Sequence, residues 1–136
     1  MIRIVADTNL LISSIFWSGP PFLIVQQALD GRLEIVVSAL ILNEVRKVLT
    51  NPDEGFVLSE QEVDDVVNGI LAFVTVVEPS RTFPVSRDPE DDSVIACALA
   101  SKANFIVTRD KDLLVLKEYS GIKMVTPEEF LRLNAF

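Results

Sequence analysis

Short apolar, β-branched runs alternate with stretches of helical apolar spacing along the whole chain. Residues 2–6, Ile-Arg-Ile-Val-Ala, and residues 33–37, Leu-Glu-Ile-Val-Val, read as strands, and 104–108 reads as a third. Residues 75–77 suit a short edge strand and 122–125 a last one. Between them, apolar spacing predicts helices over 8–17 and 22–29, separated by a break at Gly19-Pro20-Pro21. Ser38 can cap a helix over 39–50 that Asn51-Pro52 stops. Ser59 with Glu62 forms a capping box for a helix to about Phe73. Residues 79–84 read as loop. Asp88, Pro89 and Asp91 suit the N-cap, N1 and N3 positions of a helix reaching about Lys102. A short helix over 111–116 follows, and Thr126-Pro127-Glu128-Glu129 opens a C-terminal one.

Strands alternating with helices demand parallel crossovers and a helix-covered sheet, so the expected fold is an α/β sandwich. At 136 residues the chain fits one domain over 1–136. In open parallel sheets, ligands sit beyond the carboxyl ends of the strands. Asp7 follows the first strand directly and Asp110 lies just past the strand over 104–108, so both fall on that rim.

Composition narrows the chemistry. The sequence has no histidine, which removes Ser-His-Asp and Cys-His nucleophile systems and the common zinc sites. A single cysteine, Cys97 among Ile95, Ala96, Ala98 and Leu99, suits a reduced core thiol in a cytoplasmic protein. Asp7 and Asn9 interrupt the N-terminal apolar run, so no secretory leader is expected, and no apolar run is long enough to span a bilayer. Twelve Lys+Arg against twenty Asp+Glu give a net charge of −8. A global field of that sign repels nucleic acid, so a phosphodiester substrate requires divalent cations and a local basic patch.

Four acids stand out. Asp7 opens Asp7-Thr8-Asn9, and a helix N-cap is the plain alternative. On a wheel of about 100° per residue, Glu44 falls inside the apolar arc of Leu40, Ile41, Leu42, Val45, Val48 and Leu49, with Arg46 and Lys47 on the other side. A carboxylate on a buried face is costly unless paired or metal-bound. Asp92 shares the inward face of Ile95, Ala96 and Leu99, whereas Asp88, Glu90 and Asp91 are explained as helix-start acids. Asp110 follows Thr108-Arg109, with Asp112 competing for the same turn or cap role. Carboxylates held together repel one another, and a hard divalent cation such as Mg²⁺ or Mn²⁺ relieves that repulsion.

Asp7-Thr8-Asn9 after the first strand, Glu44 on the helix after the second, Asp92-Ser93-Val94-Ile95-Ala96 opening a later helix, and Val107-Thr108-Arg109-Asp110 at a strand end together resemble the PIN domain. Many members of that family are toxins of type II toxin–antitoxin pairs, and the segment from Asp88 to Asp92 is similar to such a subgroup. The resemblance implies a three-layer α/β/α sandwich with a mostly parallel sheet, Mg²⁺ or Mn²⁺ as cofactor, and cleavage of RNA. It also implies frequent homodimers and inhibition by a small antitoxin protein. Asp7, Glu44, Asp92 and Asp110 carry over as the catalytic, metal-binding acids, with Asp88 or Asp91 as an alternative near Asp92. Thr8, Asn9 and Thr108 carry over as groups that orient carboxylates or water. Arg81, Arg87, Arg109 and Lys111 flank the rim as candidates for phosphate contacts. Phe16 and Trp17 are expected mainly in the core, with an antitoxin or subunit contact as the alternative.

Two rival enzymes fit less well. A haloacid-dehalogenase-like phosphatase wants an acid two residues after the first Asp, where this chain has Asn9. A phosphorelay receiver wants a phosphoacceptor Asp after a central strand, where the second strand is followed by Ser38. A non-catalytic PIN-like scaffold is the third alternative.

Overall fold

Two neighbouring strands in the interior of the sheet are buried on consecutive residues, which requires cover on both faces. Strand β1 spans Ile2–Ala6 and β2 spans Leu33–Val37. Ile4, Val5 and Ala6, and likewise Ile35, Val36 and Val37, are all sealed from solvent. Successive strand side chains point to opposite faces, so apolar residues at every position mean helices above and below. The computed structural model describes residues 1–79 and 89–134.

The remaining strands are β3 (Val74–Val76), β4 (Phe105–Val107), β5 (Glu118–Tyr119) and β6 (Ile122–Val125). Their order is β3-β2-β1-β4-β6-β5, and every pairing is parallel except the β5–β6 hairpin. The helices are α1 (Thr8–Phe16), α2 (Pro20–Leu29), α3 (Ala39–Thr50), α4 (Glu60–Leu71), α5 (Pro89–Ser101), α6 (Lys111–Leu114) and α7 (Pro127–Leu133). A single 3₁₀ turn, Pro52–Glu54, follows α3. Helix α5 touches β1, β2 and β4, while α1 packs on α2 and α3. This is an α/β fold, a mostly parallel sheet flanked by helices. One connected core joins both faces and includes Leu11, Ile24, Leu49, Ile70, Ile95 and Phe130.

Local chemistry sets the helix starts. Ser38 Oγ accepts from the Ile41 N–H, and Thr126 Oγ1 accepts from that of Glu129. The Ser59–Glu62 box closes in both directions. The break expected at Gly19-Pro20-Pro21 falls at residues 17–19, and Pro20 and Pro21 occupy the first turn of α2, where a missing N–H costs nothing. Gly19 precedes them at φ +123°, a conformation open to glycine. The β5 strand escaped the apolar pattern because two residues carry no period. Strand β3 lies one residue earlier than read, and β4 lacks the two end residues assigned to it. The loop expected at 79–84 and the Asp88 cap fall almost wholly outside the described residues.

Phe16 and Trp17 are a further correction. They are not core residues: Phe16 is 38% and Trp17 59% exposed. They sit at the end of α1 beyond its buried face, and Phe16 stacks on Phe56 at 5.1 Å instead. No single helix among the described residues is long and apolar enough to cross a membrane.

Topology fixes where a site belongs. The chain moves outward from β1 through β2 to β3, then returns to the other side of β1 to form β4. The order reverses between β1 and β4, and a crevice opens at their carboxyl ends.

Candidate active site

Asp7 leaves the end of β1 and caps α1, its Oδ1 accepting from the Leu10 N–H at 2.9 Å. From the neighbouring strand, the fully buried Thr108 hydroxyl donates a short hydrogen bond to Asp7 Oδ2. The same Thr108 oxygen accepts from the Asp110 N–H at 2.9 Å. Asp110 then caps α6, accepting from the Asp112 N–H at 2.9 Å. One threonine therefore ties the acid ending β1 to the acid following β4.

Burial pushes the Asp7 carboxyl above the ordinary range. Hydrogen bonds from Thr108 and the Leu10 N–H oppose that shift, the charge of Asp110 adds to it, and Arg109 weakly offsets it. An acid in this position is costly to ionise without a nearby cation.

Above Asp7 lies a cleft of about 590 Å³ lined by five acids: Asp7, Glu44, Glu54, Asp91 and Asp110. Thr8, Asn9 and Asn43 add polar groups, and Lys47 is the one base among the described lining residues. Carboxylate oxygens of Asp91, Asp110 and Asp112 all lie within 4.8 Å of one another. Three acidic oxygens at that spacing, with no nitrogen or sulfur donor, suit a hard divalent ion such as Mg²⁺ or Mn²⁺. The donor set fits.

Most of the acids singled out in the sequence meet here. Asp7, Glu44 and Asp110 line the cleft, Glu44 half-buried on α3. Thr8 and Asn9 line it as well, and Thr108 sits beneath. Asp92 does not line it. Both Asp91 and Asp92 are buried in the first turn of α5, but the cleft borders the arc of Asp91 and Val94. Asp92 is rotated about 100° away from Asp91, toward Leu99. Of the two acids weighed at this helix start, Asp91 is the one that borders the cleft, while Asp92 is buried on the neighbouring face.

The basic candidates disperse. Arg109 pairs with Glu128 at 2.7 Å. Lys111 is exposed on the first turn of α6 and does not line the cleft. Arg81 and Arg87 lie outside the described residues. Lys47, placed by the wheel on the outer side of α3, lines the cleft instead, because its position is next to exposed Leu40 at the rim. Glu54 had no periodic signal, since it arrives on an irregular turn held by the Asn51 side chain. Cys97 is fully buried away from the cleft, and burial, with a smaller push from Glu78, raises its thiol to about 12.

Comparison with known proteins agrees with this fold. The chain is 29% identical to the uncharacterized protein MJ1680 of Methanocaldococcus jannaschii over 140 aligned residues, covering 96% of this chain and 90% of the relative. Its fold is similar to VapBC2 from Rickettsia felis, solved bound to a DNA fragment from their promoter. That match has a TM-score of 0.65 at 12% identity over 90% of this chain and 97% of the other. It is equally similar to PAE2754 from Pyrobaculum aerophilum, with a TM-score of 0.65 at 18% identity over 99% and 91% of the two chains. The family model described as the PIN domain matches residues 3–112, so the chain belongs to the PIN domain family, whose members are nucleases.

Proposed function

We propose that this chain is a Mg²⁺- or Mn²⁺-dependent endoribonuclease, and that it serves as the toxin of a toxin–antitoxin pair. The observation that carries the chemistry is the gathering of acids at the sheet's reversal point, with three carboxylate oxygens inside 4.8 Å. Asp91, Asp110 and Asp112 are the proposed metal-holding residues, with Asp7, tied to Asp110 through Thr108, and Glu44 facing the same ion from the cleft wall. Bound there, a divalent ion supplies Lewis-acid charge at the scissile phosphate and makes water more acidic.

The chain's own groups do the rest. Thr108 and the Leu10 N–H hold the Asp7 carboxylate in one orientation. Thr8 and Asn9 present a hydroxyl and an amide at the cleft wall, where they can orient water or a phosphate oxygen. Lys47 offers the positive charge that a phosphodiester needs on so acidic a protein.

The toxin role rests on the resemblance to VapBC-type complexes and on an exposed apolar surface. Ile15, Phe16, Trp17, Phe22 and Leu23 are each at least 38% exposed around the α1–α2 junction. Such a patch suits a protein partner, here an antitoxin. The homodimer is read from the family resemblance, and light scattering of the purified chain tests it.

The deciding experiment incubates the full chain with a mixed RNA pool and Mn²⁺. Internal cleavage that disappears with chelator and in Asp7→Asn supports the proposal. Cleavage that survives both treatments, or release of phosphate from a chromogenic monoester with no cut in RNA, overturns it.

A further inference from the structure

A second, more open cavity lies at the other end of the sheet. It holds about 900 Å³ and borders the starts of β1, β4 and β6, through Ile2, Phe105 and Ile122. Its charged lining residues are Arg32, Lys102 and Lys123, all positive, and no described acid lines it. That is the reverse of the overall balance of twelve bases to twenty acids. Elsewhere Arg3, Arg46 and Arg109 are committed to carboxylates. Lys102 and Lys123 make no such ion pair among the described residues, although Lys123 lies across the β5–β6 ladder from Glu118, and the polar contact of Arg32 is a long 3.4 Å approach to Gln27.

The backbone adds a second observation. Helix α5 ends in a Schellman arrangement, with the Ala103 N–H donating to the Ala98 carbonyl and the Lys102 N–H to that of Leu99. The left-handed position of that motif ordinarily carries glycine, yet here it is Lys102 at φ +56°. Opposite it, Ser120 and Gly121 turn the β5–β6 hairpin, both with positive φ, and bring a hydroxyl to the same wall. Lys102 thus carries its ammonium at the cavity rim from a backbone conformation that glycine adopts more readily, one that Lys117 shares away from the cavity.

We propose that this cavity binds a nucleoside phosphate. Arg32, Lys102 and Lys123 take the phosphates, and the amide NH₂ of Asn104 is the donor end, because its Oδ1 already accepts from the Arg3 N–H. Leu99, Phe105 and Ile122 supply the apolar wall for the base. A polymer would need a basic track leading away from the hollow, and the acidic composition favours a discrete ligand instead.

The test titrates ADP, AMP, inorganic phosphate and adenosine into the full chain in chelator, followed by amide NMR and calorimetry. Chelator separates this site from any metal-mediated binding at the acidic cleft, so the result stands apart from the nuclease reading. Expected are saturable ADP binding, weaker phosphate binding, none by adenosine, and shifts confined to Arg32 and to amides 99–105 and 120–123. Lys102→Gly relieves the left-handed strain, so it is expected to raise the melting temperature while weakening ADP binding about tenfold, a change of about 1.4 kcal/mol. Lys123→Ala weakens binding similarly with the fold intact. Absence of saturation, shifts centred on Asp7 and Asp110, or unchanged affinity in Lys102→Gly overturns the proposal. So does a short single-stranded RNA that binds this face more tightly than ADP.

Discussion

Thr108→Val removes one hydroxyl and little volume, and it tests how the two halves of the acidic site are joined. The Thr108 side chain is fully buried, donates to Asp7 Oδ2 and accepts from the Asp110 N–H. A valine methyl does neither, so an acid oxygen and a backbone donor lose partners together. Losing a hydrogen bond to a charged group and stranding a part-buried N–H costs about 2–4 kcal/mol in total. Unfolding entropy of roughly 2.1 cal/mol/K per residue, applied to 136 residues, makes 3 kcal/mol equivalent to about 10 °C of melting temperature. The assay is thermal and urea unfolding in chelator at constant pH, in wild-type and Asp7→Asn backgrounds. Much of the cost belongs to the Thr108–Asp7 pair, so it is expected to fall by about half in Asp7→Asn. A drop below about 3 °C, or equal drops in both backgrounds, refutes the idea that Thr108 holds the acid at all.

Asp91→Asn is expected to abolish metal-dependent cleavage while Asp92→Asn retains more of it, read as initial rates at saturating Mn²⁺; the reverse order returns the catalytic role to Asp92. Lys47→Ala is expected to raise KM with little change in kcat and to reduce the salt slope of RNA binding by about one; an unchanged slope removes Lys47 from the substrate path. Asp7 and Glu62 tilt stability with pH in opposite directions. The folded pKa of Asp7 is raised, so its contribution is full below 3.8 and lost as pH rises through the folded value. That of Glu62 is lowered by the Ser59 N–H and hydroxyl, so its contribution is present above 4.5 and lost as pH falls through the folded value. Urea midpoints against pH are therefore expected to lose the high-pH decline in Asp7→Asn and the low-pH decline in Glu62→Gln.

The strands and long helices were legible because burial imposes a period. Residues 2–6 and 33–37 are apolar nearly throughout, which only a strand covered on both faces requires. Caps at Ser38, Ser59 and Thr126 mark helix starts through chemistry confined to four residues. The acids at strand ends, Asp7 and Asp110, follow from topology alone. What failed was rotation about a helix axis near a concave surface. Asp91 read as a helix-start acid and only as the alternative to Asp92, because its burial beside the cleft is set by tertiary packing and not by its place at the start of a helix. Lys47 looked solvated because a wheel knows inside from outside but does not know a cleft. Glu54 and the α1 aromatics were set by packing between distant segments, as the Phe16–Phe56 contact shows.

The central claim is that acids from β1, α5 and the end of β4 share one divalent ion. Anomalous diffraction from a Mn²⁺-soaked crystal measures this directly. The account predicts a manganese peak within ligand distance, about 2.0–2.3 Å, of oxygens from Asp91 and Asp110, with Asp7 facing the same ion. A cleft without manganese at millimolar soak, or a peak only on surface acids elsewhere, contradicts it.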